Sequence, residues 1–371
     1  MRSINLSIQT ITFTVLNSKG FLAMAVSNKF LFGAFPLIVV LLSVSQHVHG
    51  RHRVKCKATK LFVFGDSYVD SGNTDKLTSS SWKTPYGSNY PGEPSGRYSN
   101  GRVWSDYVAK HLGLKSPIPY EQRATGTTRY GMNFAYGGTG VFDTTAPYPN
   151  MTVQIDSFQK LVEDGVFKLS DLASSVAIVA VSGNDHKIFL SQHGSNATSQ
   201  EWQPFLQSVV NQTIQNIQRI QALGVQTIAV DALEPLGCVP FITVGSSYTK
   251  CDNNSNNLVA LQNQLMQAEI AKLAKKTPKT NYVYVDLFNA FLTIMENHGV
   301  HPGSNDFENP IRPCCLGTSA NFTCGDVDDH GVKQYSVCDK PGSSFFWDSF
   351  HPTQHGWHDV YLILRSTLSL L

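Results

Sequence analysis

This 371-residue chain has no long run of lysines and arginines that would track a phosphate backbone; its basic segment, just before Leu61, is short. Its 29 basic and 27 acidic residues leave a formal charge of +2, so nucleic acid is not expected as a partner. No apolar run reaches the ~20 residues of a membrane-spanning helix; the nearest, about Phe30 to Val44, is shorter and contains Pro36. The G-x-S-x-G elbow is absent, which excludes the commoner serine-esterase architecture on its own motif. The seven cysteines lack the C-x2-C and histidine spacing of a zinc site, and Asp326, Asp328 and Asp329 lack the glycine and terminal glutamate of a calcium loop. The "GGTG" at 137–140 has neither the full dinucleotide-binding spacing nor a following Lys-Ser/Thr. No cofactor and no metal are therefore expected. Past Gly50 there is no repeat, long linker or low-complexity block.

What is present begins with "NKFLFGAFPLIVVLLSVSQHVHG" from Asn28: a lysine, an apolar stretch, then small residues, the layout of a secretory signal peptide. Residues 1–50 are expected to be that presequence, with Met24 as a second candidate start, 51–60 a short linker, and 61–371 one domain with no membrane span left after cleavage. Disulfides persist in oxidising compartments, and the cysteines fall into two groups. Cys238 and Cys251 bracket a short loop; Cys314, Cys315, Cys324 and Cys338 form a cluster whose adjacent pair is a poor bonding partner for itself, leaving two cross-pairings, and Cys56 is left over. Asn150, Asn196, Asn211, Asn253 and Asn321 each open an N-x-[ST] acceptor. Leader, cysteines and acceptors together predict a secreted, extracellular glycoprotein. The oligomeric state is left open.

Apolar runs of strand length recur as "LFVFG" at Leu61, "VAIVAVSG" at Val176, "TIAVDAL" at Thr227 and "YVYVDLF" at Tyr282, as suits strands buried on both faces of a parallel sheet. Between them lie helical patterns, the clearest from Asn257 to Thr277. That alternation predicts an α/β domain, whose chemistry belongs at the carboxyl ends of the strands. There the sequence places "GDS" at 65–67, "SGNDH" at 182–186 and, near the C-terminus, "WDSFHPTQHG". A serine, a histidine and an acid are a complete set for acyl transfer: the hydroxyl needs a base, and the base needs a carboxylate to fix its tautomer. Asp348 and His351 stand three apart and can meet in a single turn.

Taken in order, "FGDSYVDSGN", "GRYSNGRVWSDYVA", "GMNFAYGGTG", "SGNDH", "EPLGC" and "FWDSFHPTQHG" resemble the blocks of the plant-type GDSL lipase/esterase family, within the SGNH hydrolase superfamily. The resemblance implies a three-layer α/β/α sandwich around a mainly parallel, flavodoxin-like sheet. It also implies Ser67 as nucleophile, His351 as general base and acid, Asp348 as the residue orienting it, and an oxyanion hole from the Ser67 and Gly138 N–H groups and the Asn184 amide, with Gly137 one residue away from the loop donor. Tyr68 stands where the family has leucine and is expected to bear on substrate shape.

Singly these residues have blander readings. "GDS" after a strand is most often a turn, Asp66 a cap, Asp185 a support for its loop, His355 and His358 surface or packing residues, and the aspartates at 326–329 a solvated turn. The ordered set favours a secreted serine esterase acting on small-molecule or polymer-linked esters through an acyl-enzyme. The alternatives are an acyltransferase using the same intermediate, and a glycan- or protein-binding module without activity.

Overall fold

The computed structural model describes residues 58–194, 197–297 and 306–371. The proposed presequence, Cys56 and Asn196 lie outside the described residues.

The first apolar run becomes β1 (Lys60–Phe64), one residue ahead of the expected start, and its four residues from Leu61 are completely buried. It pairs in parallel with β3 (Gly131–Asn133) on one side and β4 (Ser175–Val179) on the other. β2 (Ile118–Pro119) extends the sheet beyond β3, and β5 (Thr227–Asp231) and β6 (Asn281–Val285) extend it beyond β4. The order is β2-β3-β1-β4-β5-β6, all parallel, which places the reversal of winding between β1 and β4.

Alternation along β1 feeds two cores. Leu61 and Val63 face α1 (Trp104–His111), α8 (Leu287–Asn297) and α9 (Gln354–Leu368) through Trp104, Phe291 and Trp357. Phe62 and Phe64 face the other way, onto α2 (Met151–Glu163), α5 (Ser199–Ala222) and α7 (Asn253–Lys276). There Phe158 packs 4.6 Å from Phe62 and 5.4 Å from Phe64, ring pairs that add roughly 0.5–1.5 kcal/mol each beyond simple burial. The result is a three-layer α/β/α sandwich. α3 (Leu169–Ala173), α4 (Asn184–His193) and α6 (Pro240–Thr243) are shorter pieces beside these layers. α7 starts four residues before the predicted helix because the Asp252 side chain accepts the Ser255 N–H and caps it there.

Outside the sandwich, β7 (Cys315–Gly317) and β8 (Tyr335–Val337) pair antiparallel. Cys314 bonds to Cys338 and Cys315 to Cys324, so one of the two cross-pairings is selected, and Cys238 bonds to Cys251. Cys314 N–H donates to Phe346 O and Cys315 N–H to Trp347 O, at 3.1 and 2.7 Å. These neighbouring cysteines thereby grip the segment that leads into Asp348.

Candidate active site

β1 ends into a turn that only glycine can open. Gly65 has φ +148°, and a Cβ there would lie 2.3 Å from Ala180 O. Both of its backbone polar groups are held by Gln154, whose Oε1 accepts the Gly65 N–H and whose Nε2 donates to Gly65 O, each at 2.9 Å. Asp66 then binds the turn internally: Oδ1 accepts the Tyr68 N–H, and Oδ2 accepts the Ser182 N–H from beyond β4 at 2.7 Å. Its role is the cap that the sequence suggested, and burial raises its carboxyl above the ordinary value despite these donors. Ser67 sits at the front of this turn with 6% of its surface exposed.

His351 Nε2 lies 2.8 Å from Ser67 Oγ. Its Nδ1 lies 2.8 Å from both carboxylate oxygens of Asp348. A carboxylate can only accept, so Nδ1 carries the proton and Nε2 is left to accept from the serine hydroxyl. Asp348 Oδ1 also accepts the N–H groups of Phe350 and His351, and Oδ2 accepts the hydroxyl of Tyr86 at 2.7 Å. Burial pushes the Asp348 carboxyl up, but His351, the Phe350 N–H and the Tyr86 hydroxyl outweigh it and hold the group below the usual carboxylate range. It is a fixed anion.

The glycine-rich loop is bonded to the same turn from the β3 side, the Tyr136 N–H and the Thr139 hydroxyl both donating to Gly65 O. Asp70 Oδ2 accepts the Gly137 N–H at 3.0 Å, which removes Gly137 as a donor. Tyr98 explains the glycine: a Cβ at 137 would strike its ring at 2.2 Å, and that ring packs 5.0 Å from His351. The N–H groups of Gly138 and Ser67 have no acceptor among the described residues. Asn184 opens α4, and its Nδ2 donates to Thr139 O at 2.9 Å, tying it to the same loop. Asp185 supports that loop as expected, accepting the Val141 and Phe142 N–H groups, and burial raises its carboxyl to about 6.

The expectation for Tyr68 resolves differently. The Tyr68 side chain does not reach the substrate side: it is 4% exposed, its ring packs 5.1 Å from Trp357 and 6.0 Å from His351, and its hydroxyl donates to Phe350 O at 2.9 Å. It joins the serine turn to the histidine turn. His355 and His358 lie on α9 and make no hydrogen bond with Ser67. Asp326 and Asp328 cap the turns at Thr323 and His330, and no metal-binding group occurs among the described residues. Sequence reasoning missed Tyr86, Asp70 and Gln154: Tyr86 and Gln154 lie outside the quoted blocks, and Asp70, inside the first of them, gave no signal that it would reach the Gly137 N–H 67 positions away.

Residues 61–361 match the family model described as GDSL-like Lipase/Acylhydrolase. The chain is 50% identical over 322 residues to the GDSL esterase/lipase At5g03610 of Arabidopsis thaliana, covering 86% of this chain and 89% of that one. It is 45% identical to the GDSL esterase/lipase At3g09930 of the same plant, covering 85% and 90%. Among solved structures, an alpha/beta hydrolase enzyme from the metagenome of Lake Arreo, Spain, aligns over 85% of this chain and 97% of its own at 12% identity and a TM-score of 0.38.

Proposed function

The chain belongs to the GDSL-like lipase/acylhydrolase family and is a carboxylic ester hydrolase of the serine class, and on that premise we propose that Ser67, His351 and Asp348 are its catalytic triad. The observation that carries the assignment is the unbroken relay from Ser67 Oγ through His351 to Asp348, each step 2.8 Å. Ser67 Oγ attacks the ester carbonyl while His351 Nε2 takes its proton, and Asp348 stabilises the imidazolium. The carbonyl oxygen becomes an oxyanion that accepts from Ser67 N–H, Gly138 N–H and the Asn184 amide, where one donor contributes roughly 2.7–4 kcal/mol. Collapse breaks the ester C–O bond, and Nε2 returns its proton to the departing alcohol. Water then repeats the sequence: His351 deprotonates it, the acyl carbon takes the hydroxyl, Ser67 Oγ leaves with the proton, and the carboxylic acid is released.

The test is hydrolysis of p-nitrophenyl esters by wild type and Ser67→Ala, with fluorophosphonate labelling alongside. Labelled wild type and an inert, unlabelled variant are expected. An alanine variant that keeps its rate sinks the assignment.

The same reading places the hydrolase domain at 61–371, behind a leader and linker, in a secreted protein. Three disulfides among the described residues support an oxidising compartment. Asn211, Asn253 and Asn321 are exposed acceptors, whereas Asn150 caps α2 and donates its Nδ2 to Asp143. No helix among the described residues is long and apolar enough to cross a membrane. A mass loss on N-glycosidase treatment of the protein recovered from plant culture medium is the expected result. Retention inside the cells, unglycosylated, would overturn it.

A further inference from the structure

The turn that carries the histidine also presents an aromatic ring outward. Phe350 lies between Asp348 and His351, and its backbone is fixed at both ends: its N–H donates to Asp348 Oδ1, and its carbonyl accepts the Tyr68 hydroxyl. Its ring, only partly buried, is centred 6.1 Å from the imidazole. Phe241 stacks on it at 4.9 Å, with 26° between the planes, and is itself 52% exposed. Its N–H donates to Ser349 O at 2.9 Å, so α6 is bound to the same turn. The pair also adjoins α4, because the Lys187 ammonium lies 5.7 Å over the Phe350 ring, one helical turn past Asn184.

Single apolar side chains on a surface are ordinary. A stacked pair of which Phe241 is half exposed and Phe350 partly so, both anchored to the turn that bears the base, is not, because a half-covered phenyl stays in contact with water that a ligand would displace. His351 Nε2 delivers its proton to the oxygen of the departing alcohol, so the group attached to that oxygen lies on the histidine side of the reacting carbon, where this pair is. We propose that Phe241 and Phe350 form the binding site for the alcohol moiety, and that the enzyme takes esters of aryl or comparably large apolar alcohols. This inference rests on the triad assigned above.

The experiment holds the acyl group constant and changes the alcohol: methyl butyrate against benzyl butyrate, whose alcohols differ little in acidity, with methyl octanoate as the third substrate. Wild type, Phe241→Ala and Phe241→Leu are compared, and fluorophosphonate labelling confirms that each variant is folded and active. For Phe241→Ala, kcat/KM on benzyl butyrate is expected to fall at least tenfold, mainly through KM, while the two methyl esters change less than twofold; Phe241→Leu should fall between. An equal loss on all three substrates, a loss confined to methyl octanoate, or no loss at all overturns the assignment. If instead Ser67→Ala hydrolyses methyl butyrate at the wild-type rate, the triad itself has failed, a result independent of residue 241.

Discussion

Replacing Tyr86 by phenylalanine removes one oxygen and tests how the base is oriented. That oxygen donates to Asp348 Oδ2 at 2.7 Å inside a shell of Trp347 and the two cystines of the 314–338 region. Without it, Oδ2 retains only the His351 Nδ1–H, while Oδ1 keeps two backbone donors as well. A hydrogen bond to a charged group contributes about 1.5–3 kcal/mol, and water cannot readily replace the lost donor in a buried shell. Part of that loss falls on the ground state as stability. The part felt as Asp348 balances the imidazolium appears in the barrier, and about 1.4 kcal/mol of it is a tenfold fall in rate. Tyr86→Phe is therefore expected to lose about tenfold in kcat on p-nitrophenyl butyrate with KM within twofold, and to denature at lower urea by the equivalent of about 1–2 kcal/mol. Steady-state kinetics across pH 5–9 and urea titration measure both. A wild-type kcat, or a loss carried by KM alone, refutes the claim that this hydroxyl holds the Asp348 carboxylate against His351.

Tyr68→Phe severs the link between the serine and histidine turns, and should cost about 0.5–1.5 kcal/mol of stability and lower kcat more than it raises KM; a shift in chain-length preference alone would restore the substrate-shape role that its burial contradicts. Removing the Cys315–Cys324 bond with paired alanines opens a closure of 9 residues and should cost roughly 2.5 kcal/mol in the chain-entropy model, read by urea titration; less than about 0.5 kcal/mol would show that the unfolded chain is not what it restrains. Burial, helped by the Asp66 charge, pushes the Glu234 carboxyl from 4.5 up to about 8. Between about pH 4.5 and 8 the folded protein thus holds a proton that the unfolded chain has released, and this group's contribution declines as pH rises through that window. Glu234→Gln should gain on wild type steadily from pH 5 to pH 8, and a difference independent of pH would show that the carboxyl ionises normally.

The central strands were legible because each is a short, nearly unbroken apolar run, and β1, β4, β5 and β6 fall within a residue of the predicted starts. β2 and β3 were not, since two and three residues give no periodicity and Gly131–Asn133 reads as part of a glycine-rich loop. The helix from Asn257 was seen but begun late, its cap being an aspartate outside the apolar pattern. In the site, the residues set by local spacing were visible: Asp348 and His351 share one turn. What was invisible depends on long-range meeting. Tyr86 reaches Asp348 across 262 positions, and only the fold decides that Asp70, not solvent, takes the Gly137 N–H. Residue 68 was misjudged for a related reason, since adjacency in sequence to Ser67 says nothing about which way a turn points its next side chain.

Ser67 and His351 are 284 positions apart. At a synthesis rate of about 5–20 residues per second, the serine emerges roughly 15–60 s before its base exists. During that interval the newborn chain has its hydroxyl but nothing to take the proton, and the cystines that grip the Asp348 segment still have to be oxidised. On the triad proposed above, the order of translation alone withholds ester cleavage from a half-made molecule, because the nucleophile is made long before the residue that would take its proton.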